Sequence, residues 1–237
     1  MKVLINGGSR GIGAEMVRLF SKNGHSVAFT YKNSKEKAEA LANECGALAI
    51  CADSSVTEDV NRAVSVAVDV LGEIDVLINN AAISSFSLLT DVTDDEWSGM
   101  MSVNIDGAFR YSRAVLPFMI RKKFGRIINI SSMWGICGSS CEVAYSTSKS
   151  ALIGFTKALA KEVGPSNITV NCIAPGLIDT EMNAILSESD KQAIIEETPI
   201  SRIGKAEDVA KTALFLSSDG ADFITGAVIS VNGGLVM

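Results

Sequence analysis

The chain has 237 residues, 47% hydrophobic and 20% charged, with 21 Lys and Arg against 27 Asp and Glu and a formal net charge of −6. This is enough apolar material for one large domain with a well-filled core. The acidic balance argues against nucleic acid as the main partner, because phosphate backbones require a basic face. Five scattered cysteines do not suit a disulfide framework, and no apolar run reaches the length of a membrane span. Met1-Lys2-Val3-Leu4-Ile5 runs straight into a glycine turn, too short for a signal peptide. A cytoplasmic protein with reduced thiols is expected.

In chain order, a strand over Lys2–Asn6 leads through a glycine turn into a helix over Gly11–Asn23. The turn Asn23-Gly24-His25-Ser26 carries the single histidine, read as a solvated loop residue. With its one histidine read as a solvated turn residue, a Ser-His-Asp triad and a multi-histidine metal site are both close to excluded, and no metal is expected. A strand over Ser26–Tyr31, a helix over Lys35–Cys45, a strand over Ala47–Cys51, a helix over Thr57–Leu71 and a strand over Val76–Asn79 follow. The second half reads as a helix over Gly107–Lys122, a strand over Arg126–Ser131, a helix over Ala144–Val163, a strand over Thr169–Ala174, a helix over Ala206–Leu216 and a last strand over Ala227–Val231. Several strands are apolar nearly throughout, as strands covered on both faces are. The alternation predicts a single-domain α/β protein: a Rossmann-type doubly wound parallel sheet of about seven strands with helices on both faces. The domain spans residues 1–237. The stretch from about Thr180 to Ser201 is helical and acidic and interrupts the rhythm. An insertion at the carboxyl end of a strand is where a substrate lid would sit.

Two motifs carry chemistry. The first is Asn6-Gly7-Gly8-Ser9-Arg10-Gly11-Ile12-Gly13, between the first strand and the first helix. Glycines there let the backbone approach a pyrophosphate, and a helix N-terminus offers free N–H groups and positive potential. The spacing is G-x-x-x-G-x-G, not the usual G-x-G-x-x-G. The second is Tyr145-Ser146-Thr147-Ser148-Lys149, with Ser132 thirteen residues upstream of the tyrosine. Four residues is about one helical turn, so a helix puts Tyr145 and Lys149 side by side. A free tyrosine has a pKa of about 10, and a neighbouring ammonium is expected to lower it. Ser132 would then hold the oxygen of a substrate that Tyr145 protonates or deprotonates.

The chain resembles the short-chain dehydrogenase/reductases over nearly its whole length, most closely the 3-oxoacyl-(acyl-carrier-protein) reductase branch. The resemblance rests on the glycine turn, Asn79-Asn80-Ala81-Ala82, Asn104, Ser132, Tyr145, Lys149, Pro175-Gly176 and the ending Ile224-Thr225-Gly226…Val231-Asn232-Gly233-Gly234. Asn6 stands where Thr is usual and Ala82 where Gly is usual. The resemblance implies hydride transfer between a nicotinamide and a carbonyl carbon, with Asn104, Ser132, Tyr145 and Lys149 catalytic. Ser132 and Tyr145 would stabilise the carbonyl oxygen, and Lys149 would also bind the nicotinamide ribose. Asn104 would hold a water that relays protons to Lys149.

The same resemblance places Gly7, Ser9, Arg10, Gly11, Ile12 and Gly13 against the cofactor. Asp53, Ser54, Asn79, Asn80, Ala81, Pro175, Gly176, Ile178 and Thr180 join them, with Tyr145 and Lys149 at the nicotinamide end. The second strand ends Tyr31-Lys32 without the acid that NAD enzymes tend to carry. Arg10 and Lys32 are cations suited to a 2′-phosphate, so NADPH is expected over NADH.

The substrate side is less determined. Met133 is either part of an apolar cleft or core. Glu142, three residues before the tyrosine, is either a solvated acid or the site of a substrate amine. Ser-Cys-Glu-x-x-Tyr after Trp134-Gly135 also resembles reductases of the aminopentanone modification on elongation factor P. Arg121-Lys122-Lys123 either meets an acidic acyl carrier protein or decorates a helix end. Ser166 falls where a second basic docking residue is common. Cys137 and Cys141 are expected to be small buried thiols. A sterol or small-alcohol dehydrogenase uses the same core, and a non-catalytic nucleotide sensor keeps the same fold. The family resemblance implies a homotetramer with contacts through Gly107–Lys122, Ala144–Val163 and the C-terminal strand.

Overall fold

The computed structural model describes residues 1–183 and 186–237. Seven parallel strands form one sheet in the order β3-β2-β1-β4-β5-β6-β7. They are β1 (Lys2–Asn6), β2 (Ser26–Tyr31), β3 (Leu48–Cys51), β4 (Val76–Asn79), β5 (Gly125–Ile130), β6 (Ile168–Pro175) and β7 (Val228–Val231). The order reverses between β3 and β4, so the carboxyl ends of β1 and β4 lie side by side at the switch point where doubly wound sheets bind ligands.

Each strand's alternation decides which helices cover it. Val3, Ile5, Val27, Phe29, Val76, Ile78 and Ile128 pack with α1 (Gly11–Lys22), α2 (Lys35–Cys45) and α9 (Ala206–Ser217). Leu4, Ala28, Leu77 and Ile127 pack on the other face with α3 (Thr57–Leu71), α5 (Gly107–Lys122) and α7 (Val143–Val163). Both faces are covered, so the strands are apolar nearly throughout.

Three elements were not expected, and a fourth falls in the stretch read as helical. Helix α4 (Asp94–Met101) begins with a capping box in which Thr93 and Glu96 satisfy each other's backbone donors. A single π-helical turn over Ser102–Asp106 joins it to α5. A short helix α6 (Trp134–Cys137) leads into the loop before α7, and α8 (Glu188–Glu197) occupies much of the predicted lid. That lid, 180–201, includes 184 and 185, which lie outside the described residues. His25 is half-buried, with its ring 5.6 Å from that of Phe20, rather than solvated. Cys137 is exposed and Cys141 half-buried, so the expected pair of buried thiols is not formed: the α6-to-α7 loop runs over the surface.

The glycine turn is fixed by close approach. Gly7 has φ +78, and a Cβ there would sit 2.7 Å from the Ala81 Cα. A Cβ on Gly13 would collide with the Gly7 carbonyl oxygen, which also accepts a 2.7 Å bond from Asn80 Nδ2. Gly7 N donates to Thr30 Oγ1, whose hydroxyl donates to the buried Asn6 Oδ1, as does Ser54 Oγ. The Asn6 carbonyl accepts from Ala81 N. Asn6 thereby ties the ends of β1, β2, β3 and β4 beneath the turn. Gly13→Ala is expected to destabilise by about 1–3 kcal/mol through forced backbone shift. Gly99→Ala, in α4 with open space around it, should gain about 0.5–1 kcal/mol. Denaturant melts of both variants check this, and equal effects at the two sites would contradict the geometry.

Candidate active site

The carboxyl ends of β1, β4, β5 and β6 converge on one edge of the sheet, and the sequence-predicted residues gather there. Ser132 follows β5 and is largely buried, and its Oγ accepts a 3.2 Å bond from Trp134 N, at the start of α6. Tyr145 is the third residue of α7, and Lys149 follows one turn later. The predicted spacing holds: Lys149 Nζ lies 5.6 Å from the centroid of the Tyr145 ring. The lysine is 2% exposed, and its ammonium donates a 2.8 Å bond to the Ile130 carbonyl at the end of β5.

The electrostatics correct one expectation. Burial pushes the Tyr145 phenol up to about 12; the Ser132 hydroxyl works against this rise and the Glu142 carboxylate adds to it. Lys149 is not among the groups that lower it, because the lysine has lost its own charge before the pH at which the phenol titrates. Lys149 points its hydrogen bond at a carbonyl, and burial pushes its own pKa down to about 8. Desolvation disfavours both charged forms, so it opposes the phenolate and the ammonium together. Around neutral pH the pair is therefore a protonated phenol beside an ammonium. Cys172, buried in β6, also bears on Lys149, and its thiol is pushed up to about 11, chiefly by burial.

Asn104 lies in the π-helical turn, and its side-chain bonds go to backbone and α7. Its Oδ1 accepts from Ile83 N at 2.9 Å, and its Nδ2 donates to Ile83 O at 2.9 Å and to Ser148 Oγ at 3.0 Å. Ser148 Oγ in turn donates to the Tyr145 carbonyl at 2.7 Å. Ser131 Oγ donates to the Lys149 carbonyl at 2.8 Å. Neither serine was singled out by sequence, because each acts through a backbone atom that no spacing pattern announces. Glu142 is half-buried; burial raises its pKa, and Ser139 and Trp134 act against the rise. Met133 is buried, with its backbone N donating to Pro175 O at 2.8 Å.

The glycine turn opens on the same edge. Arg10 is exposed at the start of α1. Thr180 lies over the turn, its methyl 3.4 Å from where a Gly11 Cβ would be. Ile178 is buried and bridges to Gly204, and Gly176 is pressed against Asn232. Lys32 pairs with Asp53 at 2.6 Å, while the Ser54 hydroxyl turns inward to Asn6. Asn79 also turns inward, donating from Nδ2 to Asn129 Oδ1 at 2.9 Å. Lys37, at the start of α2, pairs with Glu181 at 2.5 Å, a contact the sequence did not announce. Lys123 ends α5 at the opposite, amino-terminal edge of the sheet, and Lys122 beside it is engaged by Asp75 and Glu73.

A family model described as enoyl-(acyl carrier protein) reductase matches residues 7–236. The chain is 40% identical over 237 residues to the 3-oxoacyl-(acyl-carrier-protein) reductase FabG of Aquifex aeolicus, covering 98% of this chain and 96% of that one. It is 38% identical over 239 residues to the FabG of Staphylococcus epidermidis, covering 99% and 98%. Among solved structures, a double mutant of a Serratia marcescens short-chain dehydrogenase/reductase superposes with a TM-score of 0.92 at 36% identity, covering 98% of this chain and 96% of that one.

Proposed function

This chain belongs to the short-chain dehydrogenase/reductase family, and from that premise we propose that it is an NADPH-dependent reductase of 3-oxoacyl chains carried on acyl carrier protein. The observation that carries the reading is the cluster of Ser132, Tyr145 and Lys149 on the sheet edge that also holds the glycine turn. Relatives named for that activity match over nearly their full length.

The turn fits a dinucleotide: Gly7 and Gly13 leave no space for a Cβ, and the first turn of α1, whose N–H groups have no side-chain cap, follows directly. When bound, the nicotinamide supplies the hydride that a ketone carbon receives. The Ser132 hydroxyl and the Tyr145 phenol hold the ketone oxygen as charge develops on it. The phenol, pushed up to about 12, keeps its proton until that oxygen becomes basic enough to take it. The Lys149 ammonium then stabilises the phenolate left behind, and solvent restores the proton. Asn104 positions this group by fastening the Ile83 backbone to α7 through Ser148. The absence of an acid after β2, with Arg10 and Lys32 nearby, supports NADPH over NADH. Residues 180–201 are the proposed lid. The exposed Phe109 and Ile120 on α5, and Phe223 and Met237 near the end of the chain, are apolar surface suited to the proposed tetramer contacts.

A second reading has one supporting observation. Glu142 is half-buried, and its charge bears on Tyr145. A carboxylate there suits a substrate that carries an amine, such as the aminopentanone modification of elongation factor P.

Tyr145→Phe is expected to lower reduction of an acetoacetyl thioester or a carrier-linked 3-oxoacyl chain by about 10²–10⁴-fold, followed by loss of NADPH absorbance. Retained turnover would remove the proposed proton donor. Glu142→Gln separates the two readings. Selective loss on an aminoketone-bearing protein favours the amine substrate; equal effects on charged and neutral ketones exclude it.

A further inference from the structure

Two carboxylates already hold cations beside the glycine turn. Asp53 takes Lys32, an interaction local to the ends of β2 and β3. The other pair is not local. Glu181 belongs to the short turn Glu181–Asn183 after β6, and Lys37 to the first turn of α2, 144 positions away in sequence. Thr180, next to Glu181, touches the space above Gly11, so the Lys37–Glu181 pair crosses from α2 to the roof of the glycine turn. Arg10 also bears on Glu181, after Lys37, in holding its carboxyl below the usual range. One carboxylate thus pairs with Lys37 beside the glycine turn, and the Arg10 charge also bears on it.

We infer that Glu181 is a displaceable counter-ion at the cofactor's 2′-phosphate site. It pairs with Lys37, and a 2′-phosphate takes its place there, next to Arg10 at the start of α1. The inference rests on the NADPH reading above. A phosphate monoester carries nearly twice the charge of a carboxylate and three acceptor oxygens, so it is the stronger partner for two cations. Both members of the pair are more than half exposed, 57% for Lys37 and 56% for Glu181. Exposed pairs hold weakly, so the exchange meets little resistance. A dinucleotide without the 2′-phosphate leaves the ion pair in place. Glu181 therefore contributes to discrimination without touching the ribose itself.

The test is equilibrium binding of NADPH and of NADH to the purified chain, read by nicotinamide fluorescence, for wild type, Glu181→Gln and Lys37→Gln. Removing the competing carboxylate is expected to tighten NADPH about three-fold, and removing the lysine to weaken it about three-fold. NADH is expected to be unchanged by either substitution. Wild type preferring NADPH, with Glu181→Gln leaving NADPH unchanged or shifting both dinucleotides equally, overturns the counter-ion role and leaves the NADPH reading standing. An unchanged NADPH affinity in Lys37→Gln likewise overturns it. Wild type binding NADH at least as tightly as NADPH overturns the NADPH reading, and this inference with it.

Discussion

Burying an ammonium costs free energy that a single carbonyl only partly returns, and Lys149 is where this fold bears that cost. Its hydrogen-bond partner is the Ile130 carbonyl, not a carboxylate. The ammonium therefore remains an unneutralised positive charge inside the protein at neutral pH, poised by burial near a pKa of about 8. A charge left in that state interacts strongly with any negative charge formed beside it. The group beside it is the Tyr145 phenol. The same desolvation that keeps the phenol protonated at rest makes the lysine most valuable at the moment the phenolate forms.

The rest of the site keeps this pair in register with the glycine turn. Ser131 and Ser148 bond the backbone of α7 at Lys149 and Tyr145, and Asn104 ties Ser148 to the segment after β4. On the other side, Asn6 gathers the hydroxyls of Thr30 and Ser54 beneath the turn and accepts Ala81 N from the strand where the sheet order reverses. Both systems meet at the carboxyl end of β4. Asn6 is the residue that departs from the usual Thr, and its longer side chain is what accepts two hydroxyls at once. The placement of the turn thus rests on a buried polar cluster centred on one side chain.

Much of this was legible in the sequence, for stated reasons. The strands are apolar on both faces, so Lys2–Asn6, Ser26–Tyr31 and Val76–Asn79 stood out between helical periods. The Tyr145–Lys149 spacing translated directly into adjacency because one helix carries both. Helix α4 was missed because Asp94-Asp95-Glu96 and Ser98 give no apolar stripe, although Thr93 and Glu96 carry a readable capping box. The direction of the Tyr145 shift was misjudged because burial is a property of the packed fold, while the neighbouring lysine is a property of the sequence. Glu181 and Lys37 were invisible as partners, since their contact depends on how the turn after β6 returns over α1 and α2.

The central claim is that burial, more than the neighbouring lysine, sets the resting state of Tyr145. The chain has three tyrosines, at positions 31, 111 and 145, so a carbon-13 NMR titration of ring-labelled tyrosine resolves each one, with Tyr145→Phe giving the assignment. The account predicts that the Tyr145 signal of the ligand-free protein keeps its protonated shift past the ordinary tyrosine value of about 10, toward its buried value of about 12. A Tyr145 signal that moves to the phenolate shift below about 10 would contradict it, and would make Lys149 the dominant influence at rest.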